Sequence, residues 1–272
     1  MADEEYYLRD LVETDWSAFK EMEMETFPNE ITKEESFMRG LNSPHGLFVV
    51  MVHKETKDFI GYYRFLLYGT LGHIQRIGVR PKYQQKGYGS ILMTSAMSIL
   101  EKAGAKKFML YVLQENKAAI KLYEKYKFEI EHSTVQFEIP FELLPKEPKG
   151  NCRHMDWGEI QLMSLRFGLN PYQIQTYFGQ ENQHVIIYQR IGQQMGVCRF
   201  SPNFPGAFPF IIRDRNYALD FIAHLVTYIK NKEFTAVKIT IDQQQSLVDD
   251  FIEKKIPVRN KLYRMSRMVK MD

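Results

Sequence analysis

The sequence predicts a mixed α/β fold laid down twice in tandem, and three observations carry that expectation. Short apolar runs rich in Val, Ile, Phe and Tyr alternate with stretches of helical periodicity, so strands and helices are interleaved along the chain. A strand-like segment, residues 73–79, stops at Arg80-Pro81 and gives way to a glycine loop and a helix. The order of elements before Pro140 returns after Gly150.

Taken in order, residues 6–12 alternate weakly and form the first expected strand. Two helical stretches follow, residues 16–24 and 33–41, broken at Phe27-Pro28-Asn29. Residues 46–52 and 59–67 read as strands, and the polar HKETKD between them makes a hairpin. The strand from His73 ends at Arg80-Pro81, because proline cannot donate to a ladder and holds its predecessor extended. Residues 90–103 read as a helix with Leu92, Ala96, Leu100 and Ala103 on one face. A strand at 107–113, a helix at 116–126 and a pair of short strands across 128–139 complete the first half. Residues 140–150, with three prolines and alternating charge, read as a linker. Beyond it come helices at 157–167 and 171–178, strands at 184–189, 195–200 and 208–212, a helix at 217–231, a strand at 236–241 and a helix at 244–255.

Counting supports the repeat. An offset of 129 takes Lys107 to Ala236, Asn116 to Gln245 and Glu124-Lys125 to Glu253-Lys254. Gly61-x-x-Arg64-Phe65 returns as Gly196-x-x-Arg199-Phe200 at an offset of 135. The shift of 129 also sends Gln84 to Arg213, Gly87 to Asn216, Gly89 to Ala218 and Tyr123 to Ile252. The expected organisation is therefore a first domain at 1–140, a linker at 141–150 and a second domain at 151–272 that lacks the first one's chemistry. The alternative is an unrelated α/β domain of similar element order, and strand pairing separates the two.

Composition narrows the function. At 44% hydrophobic with a net charge of only +3, the chain can bury cores, and it shows no basic run interleaved with aromatics, which argues against nucleic acid as a partner. Cys152 and Cys198 have no metal-ligand spacing, which suits a reducing compartment, and no membrane span or signal segment is legible. The expected location is the cytoplasm, with no metal required.

The loop after Val79 is where chemistry is expected. Gln84, Gly87 and Gly89 stand in the pattern Q-x-x-G-x-G before a helix. A helix start leaves backbone N–H groups unpaired at the positive end of the macrodipole, and phosphates settle there. Glycine supplies positive φ and close backbone approach, and Lys86 adds a mobile cation. No Lys-Ser/Thr pair follows the last glycine, so this is no P-loop, and the glycine spacing is not that of a dinucleotide fold.

The run IQRIGVRPKYQQKGYGSILM resembles the acetyl-CoA motif of the GNAT superfamily of N-acetyltransferases, and ENKAAIKLYEKYKFE resembles that family's next motif. The resemblance implies a central mixed, mostly antiparallel twisted sheet flanked by helices, followed by a second, degenerate GNAT-like domain. It also implies that the backbone of Ile77, Gly78 and Val79 meets the pantetheine arm, with oxyanion support near Val79, and that Gln84, Gln85, Lys86, Gly87, Tyr88, Gly89 and Ser90 hold the pyrophosphate. Asn116 and Ala119 would line the groove, and Tyr123 would protonate the CoA thiolate. Lys127 departs from the glycine common in the family at that point. His73 stands where many relatives have a glutamate base, and histidine titrates near neutrality. By a period of two, His73 and Gln75 would share a face with Ile77 and Val79.

Bland readings exist for the same residues: a core tyrosine and a structural strand histidine. Asn116 and Tyr123, seven residues apart, fall on nearly the same helix face, which favours a role for Tyr123. Two function classes remain: an enzyme acetylating a primary amine from acetyl-CoA, and a CoA-binding sensor without turnover. The second domain would shape the acceptor side or mediate assembly, a homodimer included. Residues 1–50 hold twelve acids against four bases, a net of −8 that leaves +11 elsewhere, so a cationic acceptor is expected.

Overall fold

The computed structural model describes residues 5–28 and 31–269, and the chain divides into two compact units. Asn29 of the expected break and three of the acids, Asp3, Glu4 and Glu30, lie outside the described residues. The first unit runs to Val112 and adds Asn116–Glu129 and the residues from Met265 on; the second holds Leu113–Glu115 and Ile130–Arg264.

In the first unit β1 (Tyr6–Asp10), β2 (Gly46–His53), β3 (Phe59–Tyr68), β4 (Leu71–Val79) and β5 (Lys107–Leu113) lie side by side in that order. The first four are antiparallel neighbours, and β4 and β5 are parallel. Successive side chains on a strand point to opposite faces, and two tyrosines of β3 show what covers each. Tyr62 meets Phe19 of α1 (Trp16–Thr26), ring centroids 5.0 Å apart, whereas Tyr63 shares a 3.0 Å hydrogen bond with Ser95 of α3 (Tyr88–Lys102). α2 (Glu34–Leu41) joins α1 through Phe37, and Phe19, Met22, Phe37, Phe48, Val50 and Tyr62 form one buried cluster. Burial of each such side chain contributes about 1.5–3 kcal/mol, which holds the two helices on the sheet. α4 (Lys117–Lys125) follows β5.

The second unit contains β6 (Glu129–Pro140), β7 (Asn151–His154), β8 (His184–Arg190), β9 (Gln193–Ser201), β10 (Gly206–Ile212), β11 (Ala236–Asp242) and β12 (Val258–Met268). Their order is β12-β6-β11-β10-β9-β8-β7. α5 (Ile160–Phe167) and α6 (Pro171–Gln175) sit between β7 and β8, α7 (Ala218–Val226) between β10 and β11, and α8 (Gln245–Glu253) after β11. Again four strands are antiparallel neighbours and the next pair, β10 and β11, is parallel. Element order and pairing both repeat, so the tandem is one of topology.

Several expectations need correction. Residues 128–139 are not two short strands: β6 is a single strand that pairs antiparallel with β11 from Thr134↔Asp242 to Pro140↔Ala236, which places it in the second unit. Conversely, the end of the chain belongs to the first unit. Val269 N–H donates to Lys106 O at 2.9 Å, Arg267 Nη1 donates to Tyr126 O at 3.1 Å, and Met265 is fully buried. Each compact unit is thus assembled from more than one stretch of the sequence. Neither β7 nor β12 is legible as a strand from pattern: β7 has four largely polar residues, and the arginines of β12 are accommodated by ion pairs such as Arg259–Glu138 and Arg264–Glu131 rather than by an apolar face. The helix expected to reach residue 231 stops at Val226.

Candidate active site

β4 and β5 pair from Leu71↔Lys107 to His73↔Met109, the first three residues of β4, and β4 then runs on to Val79. On its other side β4 stays with β3 as far as Gly61↔Val79, and Arg80 N–H donates to Ile60 O at 2.9 Å. Antiparallel ladders alternate, so Gly78, like Arg80, turns its backbone groups to β3. Ile77 and Val79 turn theirs to the side that β5 has left. Of the three backbone contacts expected there, Gly78 is therefore already committed. Its missing side chain serves packing, since a Cβ would stand 2.6 Å from Cε2 of Phe27.

The loop is tied to the strand end by Gln84, whose Nε2 donates to Val79 O at 2.9 Å. Among the described residues, the loop's backbone hydrogen bonds run up to Gln84 N–H to Pro81 O, 3.1 Å, and resume at Ser90 N–H to Gly87 O, 2.9 Å. The amides of Gln85, Lys86, Gly87, Tyr88 and Gly89 lie between, at the start of α3. Gln85 and Gly87 are left-handed, with φ of 61° and 89°, a conformation glycine adopts without strain. An added Cβ would meet nothing within 4 Å at Gly87, and at Gly89 Leu122 at 3.5 Å and Val79 at 4.0 Å, so the chain keeps open space over this helix start. Ser90 departs from expectation: its amide serves Gly87, and its carbonyl accepts from Tyr126 Oη at 2.6 Å. Lys86 Nζ lies 5.7 Å over the Tyr83 ring, and Tyr88 stands edge-on to Tyr83.

Those contacts anchor α4 to the loop. Besides Tyr126, Lys125 Nζ donates to Ser90 Oγ at 3.3 Å, and Leu122 is the neighbour of Gly89. Asn116 caps α4 by accepting the Ala119 N–H at 3.1 Å, so both residues expected in the groove are used by the helix start. Tyr123 is buried next to Phe128, and burial pushes its phenol up to about 12, which keeps it protonated.

His73 is placed differently from expectation. The β3–β4 ladder slips between Phe65↔Ile74 and Arg64↔Arg76, a bulge that leaves Gln75 without a partner in the register. Directly opposed residues share a face, so the bulge reverses the alternation. Ile77 and Val79 share the α3 face with Ile74, while His73 shares the α1 face with Arg76. The period of two fails at that one residue. His73 is buried, its ring 5.9 Å from that of Tyr111.

The α1 face holds a polar group that sequence pattern did not single out. Glu23 is fully buried; it accepts from Tyr62 Oη, accepts the Thr32 N–H at 2.6 Å, and lies 3.5 Å from Arg76 Nη1. Arg64 extends over the Phe48 ring at 5.5 Å, and burial lowers its pKa. Thr32, Phe48, Tyr62, Arg64, Gln75 and Arg76 enclose a cavity of about 250 Å³. A signal existed: Phe19, Met22, Glu23 and Thr26 follow helical spacing, which puts Glu23 on the buried stripe. Of the acids in residues 1–50, Asp15 pairs with Arg9 and Glu35 with Arg39 inside that stretch, and part of the excess, Glu21 and Glu25, pairs with Arg80 from the end of β4.

Residues 8–128 match the model of the acetyltransferase (GNAT) family. The chain carries a GNAT acetyltransferase domain. The whole chain shares its fold with a GCN5-related N-acetyltransferase from Sphaerobacter thermophilus, at a TM-score of 0.74 and 12% identity over 100% of this chain and 99% of that one. It shares it also with a tandem GNAT protein from the clavulanic acid biosynthesis pathway, at a TM-score of 0.67 and 10% identity over 98% and 100%. Among curated proteins, the chain is 33% identical over 93 residues to a mycothiol acetyltransferase of Streptomyces coelicolor, covering 34% of this chain and 29% of that protein. A mycothiol acetyltransferase of Rhodococcus erythropolis is 27% identical over 36% of this chain and 35% of its own length. These matches span about a third of the curated relatives' length.

Proposed function

We propose that this chain is an N-acetyltransferase that moves an acetyl group from acetyl-CoA to a primary amine of a small molecule or peptide by direct attack. One observation carries the reading: an edge left open at the Ile77 backbone and the Val79 N–H, with the Val79 carbonyl taken by Gln84, is followed, in the same unit, by a helix start whose amides from Gln85 to Gly89 have no backbone acceptor among the described residues. The edge suits the amides of a pantetheine arm, and the helix start suits a pyrophosphate. The curated relatives are named for mycothiol, but the matches span only about a third of their length, so their acceptor is not carried over. The free thiols of Cys152 and Cys198 support a cytoplasmic setting.

In the reaction the amine nitrogen attacks the thioester carbonyl carbon; the C–N bond forms, the C–S bond breaks and one amine proton leaves. The Val79 N–H, directed into the gap, is the donor for the developing oxyanion. His73, on the α1 face, takes the amine proton through water, and Tyr123 donates to the departing sulfur. Since the protonated phenol is the active form and persists to about pH 12, kcat should show no alkaline fall from this group below its ordinary value of 10.

The test follows thiol release with the full chain. Tyr123→Phe is expected to retain acetyl-CoA binding by calorimetry and to slow turnover by about ten- to a hundredfold. Unchanged turnover would remove the acid role. Binding without release from any primary amine would turn the reading to a sensing module.

A further inference from the structure

We infer that the cavity on the α1 face holds the acceptor by a carboxylate, with Arg64 as its counter-ion, so that the acceptor is a primary amine bearing one carboxylate, as an amino acid does. This rests on the acetyl transfer proposed above.

Three observations lead there. First, one cation that lines the cavity lacks a counter-ion. Glu23 and Arg76 face each other at 3.5 Å and Tyr62 donates to the same carboxylate, whereas Arg64 has no hydrogen bond or ion pair among the described residues. A largely buried guanidinium without an acid is costly unless something else supplies the anion. Second, the fold keeps room for it. Gly40 of α2 packs on the guanidinium, where a Cβ would stand 3.1 Å from Cζ, and the side chain is held over Phe48 while lining the cavity. Third, the cavity adjoins the donor edge. Gln75 and Arg76 line it, and Ile77, the next residue, opens the strand edge where the thioester is proposed to lie.

The single guanidinium of Arg64 matches a monoanionic carboxylate better than a dianionic phosphate. The planar fork of arginine fits a carboxylate through two parallel N–H···O bonds. The polar Thr32 and the exposed Gln75 complete a mouth through which the amine end can reach β4.

The test compares three matched amines in thiol release from acetyl-CoA by the full chain: an α-amino acid with a neutral side chain, its primary amide, and its phosphonate analogue. The carboxylate is expected to exceed the amide in kcat/KM by about ten- to a hundredfold, the range of a charge-assisted contact. Arg64→Gln is expected to bring that ratio toward one, through KM. Arg64→Lys keeps the charge without the fork and should fall between, which also covers a Gln variant that fails to fold. Equal values for acid and amide, or a ratio that neither substitution moves, would overturn the inference while acetyl transfer stands. A preference for the phosphonate would overturn the single-charge assignment. Absence of release with all three overturns it as well, and calorimetry with acetyl-CoA then shows whether the acetyl-transfer reading falls with it.

Discussion

Val79 and Ile212 occupy the same place in the two units, each paired opposite a glycine of the preceding strand, Gly61↔Val79 and Gly196↔Ile212. In both units the parallel neighbour departs after a short pairing, here Gly206↔Lys238 and Ala207↔Ile239. What fills the gap differs. Ile212 N–H donates to Gln244 Oε1 at 3.0 Å, and Gln244 Nε2 donates to Phe210 O at 2.8 Å. Phe210 pairs with Cys198 as Ile77 pairs with Tyr63, so a side-chain amide of the second unit bonds the very edge that the first leaves open. At the helix start, Asp214 accepts the Asn216 N–H at 2.9 Å, where the first unit has left-handed Gly87 and open space. One scaffold thus either supplies its own amide and carboxylate or leaves both places to a ligand. The shape of those internal groups, an amide at the edge and an anion at the helix, supports reading pantetheine and pyrophosphate into the first unit.

The scaffold itself is shared. Gly61 lies under Leu92 of α3 and Gly196 under Phe221 of α7, each with a methyl or ring carbon 3.1 Å from where a Cβ would be. Arg9 pairs with Asp15 and Arg153 with Glu159, both at 2.6 Å, and each acid also accepts the N–H three residues before it.

Breaking the comparison should cost most at Gly87. Gly87→Val puts a β-branched residue at φ 89° and should weaken acetyl-CoA binding by at least about a hundredfold, while Asn216→Val leaves the affinity where it was. Next come the shared glycines. Gly61→Ala and Gly196→Ala should each lower stability by about 1–3 kcal/mol through overpacking, read in urea titration, and a large effect in one unit alone would contradict a common scaffold. Gln244→Ala strips two strand groups of their partner and should cost about 1–3 kcal/mol. It should create no second acetyl-CoA site, because Asp214 still caps the helix. The smallest effect is on acid stability. The Arg153 hydrogen bond holds Glu159 down to about 2; against burial, which raises it, the hydrogen bonds from Arg9 and the Val12 amide hold Asp15 below its ordinary value. Depressed carboxyls stabilise above their unfolded pKa, so this contribution is complete above about pH 4.5 and fades as pH falls toward 2. Glu159→Gln should flatten that acid limb for the second unit, as followed by thermal melts between those values.

The donor side was legible because its chemistry is local. Arg80-Pro81 ends a strand, glycines mark the loop, and helical spacing marks α3 and α4, all within one stretch. The cavity proposed for the acceptor was not, because Glu23, Arg64 and Arg76 come from three elements that only the tertiary fold gathers. The face of His73 was misjudged since one bulged residue, Gln75, inverts a period-two argument. The units to which β6 and the end of the chain belong were hidden for a related reason: β6 carries three charged residues in twelve and β12 four in eleven, and their pairing follows register and ion pairs rather than a plain apolar stripe. In the second unit the sequence shows Asn216 and Ala218 in place of glycines, but the Gln244 amide that bonds its strand edge required the structure.

The central claim is that only the first unit offers acetyl-CoA an open edge and an unclaimed helix start. Calorimetric titration of the full chain tests it most directly, because the number of sites is read without knowing the acceptor. One acetyl-CoA per chain, lost in Gly87→Val, is the predicted result. Two per chain, or one that survives Gly87→Val, would contradict it.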